Sequence, residues 1–321
     1  MSELDDDSLF DAVKFITQTE QENITLSSLF FKDSQTDSNT DVAADSVARI
    51  PVQGSPLRCN MPAAAKYKIW LFRDGQAAGD VAQNAGDAAP IKGVVSFSES
   101  GQFLHCLRFT SDAEKAEFRE LLAAEIPQDE VFCILGEKQG SELIASAIKK
   151  RRRQTRHYML MHFVGNAGRL LPPEELELVK CGIPQLNALV PLQMGYEIDE
   201  VLMDKDDFDE AVSRLTMRKF LREQIIYALF AKPEADGVSR AVAKAGTNAR
   251  GLNWYQLGGV YTVPGYRGQG CAAFLAQHLA LTNAEMGKRT ALFVKDENIP
   301  AQKAYKKAGF VPDKPFEIIY Y

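Results

Sequence analysis

The sequence has few of the residues that build metal centres and disulfide frameworks. Its 321 residues include five cysteines and four histidines, with neither a C-x-x-C pair nor an H-x-x-x-H pair. Structural zinc sites and disulfide-rich folds need closely spaced, paired ligands. We therefore expect no bound metal. The thiols are expected to be reduced and structural, as is typical of a cytoplasmic protein.

Long apolar runs are also missing. The longest nearly continuous one is Ile225–Ala231, whereas a helix that spans a bilayer needs about 20 apolar residues. The first seven residues are acidic, while a secretory signal begins with basic residues and continues with apolar ones. The sequence therefore predicts no membrane partner and a cytoplasmic location.

Basic residues are fewer than acidic ones. Lysine and arginine total 37 against 43 aspartates and glutamates, which gives a net charge of −6. Such a surface repels nucleic-acid phosphates at long range. The basic run Lys149–Arg153 contains no aromatic residue on which bases could stack. We interpret it as a solvated helix end or linker, and we predict no nucleic-acid partner.

Composition and length indicate an ordinary globular protein with about two domains. Hydrophobic residues make up 45% and charged residues 25%. Residues 32–65 contain few large apolar side chains and have an aspartate at every fourth position from Asp33 to Asp45, which would place like charges on one helix face. We expect a mobile insertion there.

Hydrophobic periodicity predicts alternating strands and helices over the rest of the chain. The predicted strands include Tyr67–Phe72, Ile91–Phe97, Phe103–Phe109, Tyr158–Phe163, Asn253–Val263 and Thr290–Val294, and the predicted helices include Asp112–Glu125, Asp206–Ala231, Gly268–Met286 and Ile299–Ala308. Leu192–Leu202 is predicted as an extended segment. This order favours an α/β (α+β) fold in which helices flank mixed central sheets.

The segment Gly258–Ala273 reads as a strand, a Pro-Gly turn, a short basic glycine loop and the start of a helix. Glycines let backbone amides approach a ligand closely. A helix N-terminus presents unpaired N–H groups and partial positive charge, which suit a phosphate group. Arg267 can add a charged partner. The pattern predicts a phosphate-binding loop.

Two other interpretations of this loop are possible. It could be a structural glycine turn. It also fits the dinucleotide-binding pattern G-x-G-x-x-A at Gly268, Gly270 and Ala273. In that fold, however, the glycines follow the strand directly, whereas Pro264–Arg267 intervenes here. Only 51 residues follow Gly270, too few for the rest of a doubly wound sheet.

A second motif, Asp296–Phe310, follows about 30 residues later. Asn298 can cap a helix that has Pro300 in its first turn and ends at Gly309. The spacing places Asn298, Ala301 and Tyr305 on one helix face. An amide, a small side chain and a phenol suit an elongated ligand along that face. The alternative is that Asn298 only caps and Tyr305 only packs.

Together, the two motifs resemble the GNAT superfamily, the GCN5-related N-acetyltransferases. The acyl-CoA loop R/Q-x-x-G-x-G/A is met by Arg267–Ala272, and the later helix is met by Asn298, Ala301, Tyr305 and Gly309-Phe310. The chain is similar to two-lobed members. This implies a degenerate GNAT-like domain over residues 1–200, to which we assign no cofactor, and an acetyltransferase domain over 201–321.

The resemblance implies acetyl-CoA as co-substrate and assigns roles in its binding. Backbone groups of Val260, Tyr261 and Thr262 would pair with the pantetheine arm, and one N–H there would polarise the thioester carbonyl. Asn298, on the helix face shared with Ala301, would bond the pantetheine, and Tyr305 would protonate the departing sulfur. The pyrophosphate would be held by Arg267, Gly268, Gln269, Gly270, Cys271, Ala272 and Ala273.

The resemblance leaves the acceptor and the general base open. An amine of a small molecule or peptide is the expected acceptor, but the strand segment Asn253–Leu257 offers no carboxylate as base. Tyr255 and Gln256 could orient a water molecule or simply pack. Acidic Glu197, Asp199 and Glu200 could face a cationic amine or be solvated. The alternative function is that of a non-catalytic acyl-CoA sensor.

Overall fold

The computed structural model describes residues 1–5, 8–31, 47–52, 55–60, 66–73, 89–165, 167–232 and 238–321. Its strands are β1 (Ser2–Glu3), β2 (Val47–Val52), β3 (Ser55–Asn60), β4 (Tyr67–Arg73), β5 (Ile91–Ser98), β6 (Gln102–Leu107), β7 (Cys133–Glu137), β8 (Gln154–Phe163), β9 (Leu176–Cys181), β10 (Ile226–Ala231), β11 (Arg240–Arg250), β12 (Trp254–Thr262), β13 (Arg289–Lys295) and β14 (Phe310–Tyr320). Its α-helices are α1 (Leu9–Thr17), α2 (Ile24–Ser27), α3 (Asp112–Glu125), α4 (Lys138–Ala145), α5 (Leu186–Tyr196), α6 (Glu210–Glu223), α7 (Cys271–Glu285) and α8 (Ile299–Ala308).

The chain forms two compact units. Among the described residues, the first unit holds those up to Tyr158 together with Lys314–Tyr321, and the second holds Met159–Asp313. The division therefore falls inside strands β8 and β14. The boundary predicted between residues 200 and 201 lies within the second unit, because β9 pairs with β10 and α5 packs with α6.

The predicted mobile insertion lies largely outside the described residues. Within its range, the backbones of β2 and β3 pair as an antiparallel hairpin, from Val47↔Asn60 to Val52↔Ser55. The described part of this segment is therefore strand.

The first unit contains a mixed sheet. Strands β1, β4, β5 and β6 pair antiparallel in that order, β7 runs parallel to β6, and the end of β14 pairs antiparallel with β7. Its aromatic cluster includes Trp70, Phe103 and Phe118, all of them fully buried. Helix α3 begins with a capping box: Ser111 accepts from the Glu114 N–H, and the Glu114 carboxylate accepts in return from the Ser111 N–H.

A histidine is enclosed in the first unit. His105 on β6 is buried, and its Nε2 lies 3.0 Å from Ser141 Oγ. A Cβ at Gly136 or Gly140 would come within 2.0 or 2.5 Å of the His105 ring, so the two glycines make room for it. Burial lowers the pKa of His105 to about 4, which keeps the ring neutral.

The second unit repeats this order of elements. Strands β9 to β12 pair antiparallel in the order β9-β10-β11-β12, and β13 runs parallel to β12. Helices α5 and α6 pack on one face, while α7 and α8 pack against the other core cluster. Each unit has two helices, three strands that pair antiparallel, a helix, a parallel strand and a helix in this order, and the first unit has the additional hairpin β2–β3 after its second helix. The prediction of mixed sheets flanked by helices is confirmed.

Two predicted elements before β11 are wrong. Leu192–Leu202 is helical, because α5 runs to Tyr196 despite Pro191 in its interior and buries Leu189 and Leu192. The predicted helix Asp206–Ala231 ends at Glu223, where Gln224 is extended, and β10 follows. Residues with high strand propensity, such as Ile226 and Tyr227, continue the apolar pattern of α6 into that strand.

Candidate functional site

Strands β12 and β13 separate partway along their length. They pair only from Trp254↔Arg289 to Leu257↔Leu292, although β12 continues to Thr262 and β13 to Lys295. Beyond Leu257, the edge of β12 away from β11 has no strand partner among the described residues. An extended ligand can hydrogen-bond to such an edge as an added strand. Val260, Tyr261 and Thr262, predicted to pair with pantetheine, lie on this open part.

A β-bulge begins this open part. Lys244 pairs with Tyr261 and Gly246 with Gly258, so β12 has one more residue than β11 between these pairs. Gly259 adopts a left-handed conformation with φ of 60°. The bulge therefore rotates the backbone of β12 just before Val260.

The predicted phosphate loop forms an open helix N-terminus. Gly268 and Gly270 have φ of 80° and 88°, and a Cβ at either would meet nothing within 4 Å. Helix α7 begins at Cys271 without a side-chain cap. The N–H groups of its first turn, including those of Ala272 and Ala273, have no partner within the helix and carry its positive dipole. This end of α7 has the features that suit a phosphate group.

Arg267 joins the loop to β12 and to an acidic residue. Its Nε donates to Thr262 O at 3.0 Å, and its Nη2 donates to Asp199 Oδ2 at 2.8 Å. The guanidinium carbon lies 5.5 Å from the centre of the Tyr261 ring. Tyr261 also donates its hydroxyl to Asp199 Oδ2 at 3.3 Å. Gln269, the other polar side chain of the loop, donates to Gly265 O at 3.1 Å.

Helix α8 carries the residues of the second motif. Asn298 caps it, since Oδ1 accepts from the Ala301 N–H at 3.1 Å, and Nδ2 donates to Glu200 at 3.2 Å. Ala301 is half-buried at the side of the core cluster. Tyr305 is buried, and burial raises the pKa of its phenol, with Tyr196 and Glu200 adding to the shift. The phenol therefore keeps its proton at neutral pH.

The segment Glu197–Val201 is a π-helical turn whose carboxylates contact both motifs. Asp199 binds Arg267, while Glu200 binds Asn298 and lies 3.0 Å from Lys295 Nζ. Glu197 accepts from Gln193 at 2.7 Å and from the Ser213 hydroxyl. The sequence placed this segment near the acceptor, but gave no sign that it pairs with the predicted cofactor-binding residues.

A buried lysine beside the bulge was missed by sequence reasoning. Lys244 Nζ donates to Gly259 O at 2.8 Å and lies 5.0 Å from the centre of the Tyr196 ring. Burial lowers its pKa to about 7, against the opposite influence of Glu197. The available signal was a single lysine inside the small apolar run Ala241–Ala245.

Comparison with known proteins identifies a family for the segment that contains this site. Residues 198–310 match the model of the acetyltransferase (GNAT) family. The second half of the chain contains a GNAT domain. Among curated proteins, none matches the chain significantly.

Two solved structures extend the likeness over both units. A Drosophila protein has a TM-score of 0.63 at 13% identity and covers 100% of this chain and 98% of its own. A tandem GNAT protein from the clavulanic acid biosynthesis pathway has a TM-score of 0.51 at 13% identity, with 99% and 97% covered. At these identities the likeness concerns the fold alone. It confirms the two-lobed fold predicted from the sequence.

The helix of the first unit that corresponds in order to α7 of the GNAT domain has a closed N-terminus. The Glu114 carboxylate accepts from the N–H groups of Thr110 and Ser111, at 2.8 Å each, in front of α3. These bonds lower the pKa of Glu114 to about 2. The equivalent end of the first unit thus already holds an anionic group of the protein itself, whereas the GNAT domain leaves its own end open.

Cys271 and His278 of the GNAT domain have no apparent chemical role. Cys271 is buried, and burial raises the pKa of its thiol. The His278 ring packs against Tyr227 and Phe274, and burial lowers its pKa. Neither residue has the exposed, polar surroundings that activate a nucleophile.

The described residues contain no group of three or more histidine, cysteine, aspartate or glutamate side chains that could hold a metal ion. Among them there is also no helix with the length and apolarity that crossing a membrane requires.

Proposed function

We propose that the GNAT domain transfers the acetyl group of acetyl-CoA to an amine of a small molecule or peptide by direct attack. The observation that carries this proposal is the separation of β12 from β13 after Leu257↔Leu292, together with the uncapped N-terminus of α7, which packs against both strands. One element offers hydrogen bonds to an extended amide chain, and the other suits a pyrophosphate. Pantetheine and pyrophosphate are adjacent parts of CoA.

Binding acetyl-CoA in this way requires two exchanges of partner. Arg267 now binds Asp199, and it would turn its guanidinium to the pyrophosphate held at Gly268–Ala273. Asn298 now donates to Glu200, and its amide would instead donate to the pantetheine. Its capping bond to Ala301 uses the other atom of the amide and can persist.

The chemistry at the thioester then has two contributions. An N–H of the Val260–Thr262 edge would stabilise negative charge on the carbonyl oxygen, the kind of contact whose loss typically slows turnover by roughly 100- to 1,000-fold. Tyr305 would donate a hydrogen bond to the departing sulfur. Because a thiol has a pKa of about 8.5 and that of Tyr305 is raised above its usual value, complete proton transfer to the thiolate is uphill. Tyr305 assists the leaving group without being indispensable.

The acceptor would lie beside α5 and the turn Glu197–Val201, where the carboxylates of Asp199 and Glu200 are exposed enough to meet a polar substrate. We place the reaction in the cytoplasm. The cysteines of the described part of the chain, Cys106, Cys133, Cys181 and Cys271, are buried free thiols, which is consistent with a reducing compartment.

Calorimetry with acetyl-CoA, followed by thiol release in the presence of a panel of amines, tests the proposal. We expect saturable binding and release of CoA that depends on the amine, with a mass increase of one acetyl group on the acceptor. Binding without turnover over a broad panel of small amines and peptides would instead identify an acyl-CoA sensor. Absence of binding would contradict both functions.

A further inference from the structure

Lys244 lies in an environment that is costly for a lysine. Only 3% of its surface is exposed, and its neighbours on β11, Ala243 and Ala245, belong to the apolar core cluster. The ion pairs between described side chains do not include it. Burying an amine without a directly paired counter-ion costs free energy, so a hydrophobic residue of similar length would suit the packing better. A role beyond packing is therefore indicated.

The partner of Lys244 is a carbonyl that the bulge takes out of the regular strand pairing. Gly259 and Val260 lie together opposite the single residue Ala245, so the β11–β12 ladder is interrupted there. A buried carbonyl without a partner is unfavourable, and Lys244 Nζ provides one at 2.8 Å. A Cβ on residue 259 would lie 3.3 Å from Nζ, so the glycine also lets the amine come close.

The bond to Lys244 holds the peptide group that leads from Gly259 into Val260. The backbone dihedrals of Gly259 determine how the peptide groups of Val260, Tyr261 and Thr262 leave the bulge. We propose that Lys244 is a positioning residue, which holds the Gly259 carbonyl so that an N–H of the following residues is aimed at the thioester carbonyl. This inference rests on the proposed function. It assigns Lys244 a part in acetyl transfer without contact with the reacting atoms.

The charged and titratable groups around Lys244 are compatible with this role. Tyr196 of α5 covers the amine, Glu197 follows on the same side, and Tyr261 is its pairing partner on β12. Glu197 is itself held by Gln193 and Ser213, so its position is fixed. A lysine amine donates hydrogen bonds whether it is neutral or charged. The bond to Gly259 should therefore persist on both sides of pH 7.

The test compares Lys244→Met, which replaces the side chain with an unbranched apolar one that is one atom shorter and lacks the donor, with the wild-type protein. Acetyl-CoA labelled with ¹³C at the thioester carbonyl is added without acceptor, and the infrared carbonyl band is recorded. We expect the band to move to lower frequency on binding to the wild-type protein and to return towards its free position in Lys244→Met. With an amine acceptor, kcat should fall roughly 10- to 100-fold, and KM for acetyl-CoA should change much less. Lys180→Met, at an exposed lysine of β9, is the control and should match the wild type.

Gly259→Ala provides a second variant, in case Lys244→Met does not fold. It perturbs the same bulge from the other partner and should lower kcat to a similar extent. Because Gly259→Ala also strains the backbone at its φ of 60°, the double variant should lose less activity than the product of the two single losses. Additive losses would overturn the inference.

Other outcomes are equally decisive. An unchanged carbonyl band and kcat in Lys244→Met would overturn the positioning role. The positioning role would also be overturned if the activity of Lys244→Met fell only in proportion to the fraction of folded protein, as measured by a melting curve. If the variant lost a limb of the pH profile near pH 7, Lys244 would be a proton acceptor instead. A wild-type band shift without acetylation of any amine would contradict only the transfer reaction, whereas absence of acetyl-CoA binding would contradict both proposals.

Discussion

The guanidinium of Arg267 donates from Nη2 to Asp199 Oδ2 at 2.8 Å. The side chain that is predicted to bind the CoA pyrophosphate is therefore paired with a carboxylate of the protein. The two side chains come from different elements, a π-helical turn after α5 and the loop before α7. Both are about half exposed, so the pair itself contributes little to stability. Its effect falls mainly on ligand binding.

Asp199→Asn should therefore tighten acetyl-CoA binding. The change frees Arg267 and removes a negative charge that repels the phosphates. An exposed charge contact is worth about 0.2–1 kcal/mol, so the Kd should fall by up to roughly fivefold. Calorimetry at low salt measures the effect. Asp204→Asn removes the same charge from an exposed residue that only caps a short turn, and serves as the control. Equal tightening in both variants would show that overall charge, rather than release of Arg267, is responsible.

Gln269→Glu should weaken acetyl-CoA binding. The substitution preserves shape and places a carboxylate in the glycine loop, where the open end of α7 otherwise favours an anion. We expect a Kd about three- to tenfold higher at low ionic strength, with a smaller difference at 0.5 M salt because the charges are screened. A Kd that is unaffected at either salt concentration would place the phosphates elsewhere.

Tyr305→Phe should separate turnover from affinity. The substitution removes the hydroxyl, while the ring stays packed against Phe310. Loss of general-acid assistance predicts a kcat lower by about 100-fold, at the low end of the range for such groups, while the Kd for acetyl-CoA stays within about twofold. Thiol-release kinetics and calorimetry measure the two quantities. Full activity of the variant with bound acetyl-CoA would exclude Tyr305 as the group that assists the sulfur.

The His105 site should make stability depend on pH. Its pKa is about 4 in the folded protein and about 6.5 in an unfolded chain, so the unfolded state binds a proton first as pH falls. The free energy of unfolding is therefore unaffected by His105 above about pH 6.5, and it decreases as the pH falls towards 4, by at most about 3 kcal/mol. Urea unfolding of wild type and His105→Gln over this range should show a steeper decrease for the wild type. Parallel curves would mean that the ring is protonated in the fold.

Sequence patterns predicted the candidate site because its parts are local. Gly268 and Gly270 adopt a left-handed backbone conformation, and Asn298 caps α8 three residues before Ala301. Each of these local features is recognisable as a short sequence motif. The same holds for the strands and helices on either side of them. These segments were predicted with boundaries close to those of the structure.

Contacts between distant residues could not be predicted in this way. The pairing of Asp199 with Arg267 joins residues 68 positions apart, and that of Asn298 with Glu200 joins residues 98 apart. The helix α5 was missed because Pro191 and Gly195 usually interrupt helices, whereas the burial of Leu189 and Leu192 outweighs this preference here. The role of Lys244 depends on a bulge whose register only strand pairing defines.

Strand β14 has a consequence for how the polypeptide matures. Residues 316–320 pair with β7 and place Ile319 in the aromatic cluster of the first unit, although that unit begins at the opposite end of the chain. During synthesis the side of β7 that pairs with β14 therefore stays uncovered until residues 316–320 have left the ribosome. A released chain that ends at residue 313 should remain sensitive to protease near β7, and the chain that extends to residue 321 should lose that sensitivity.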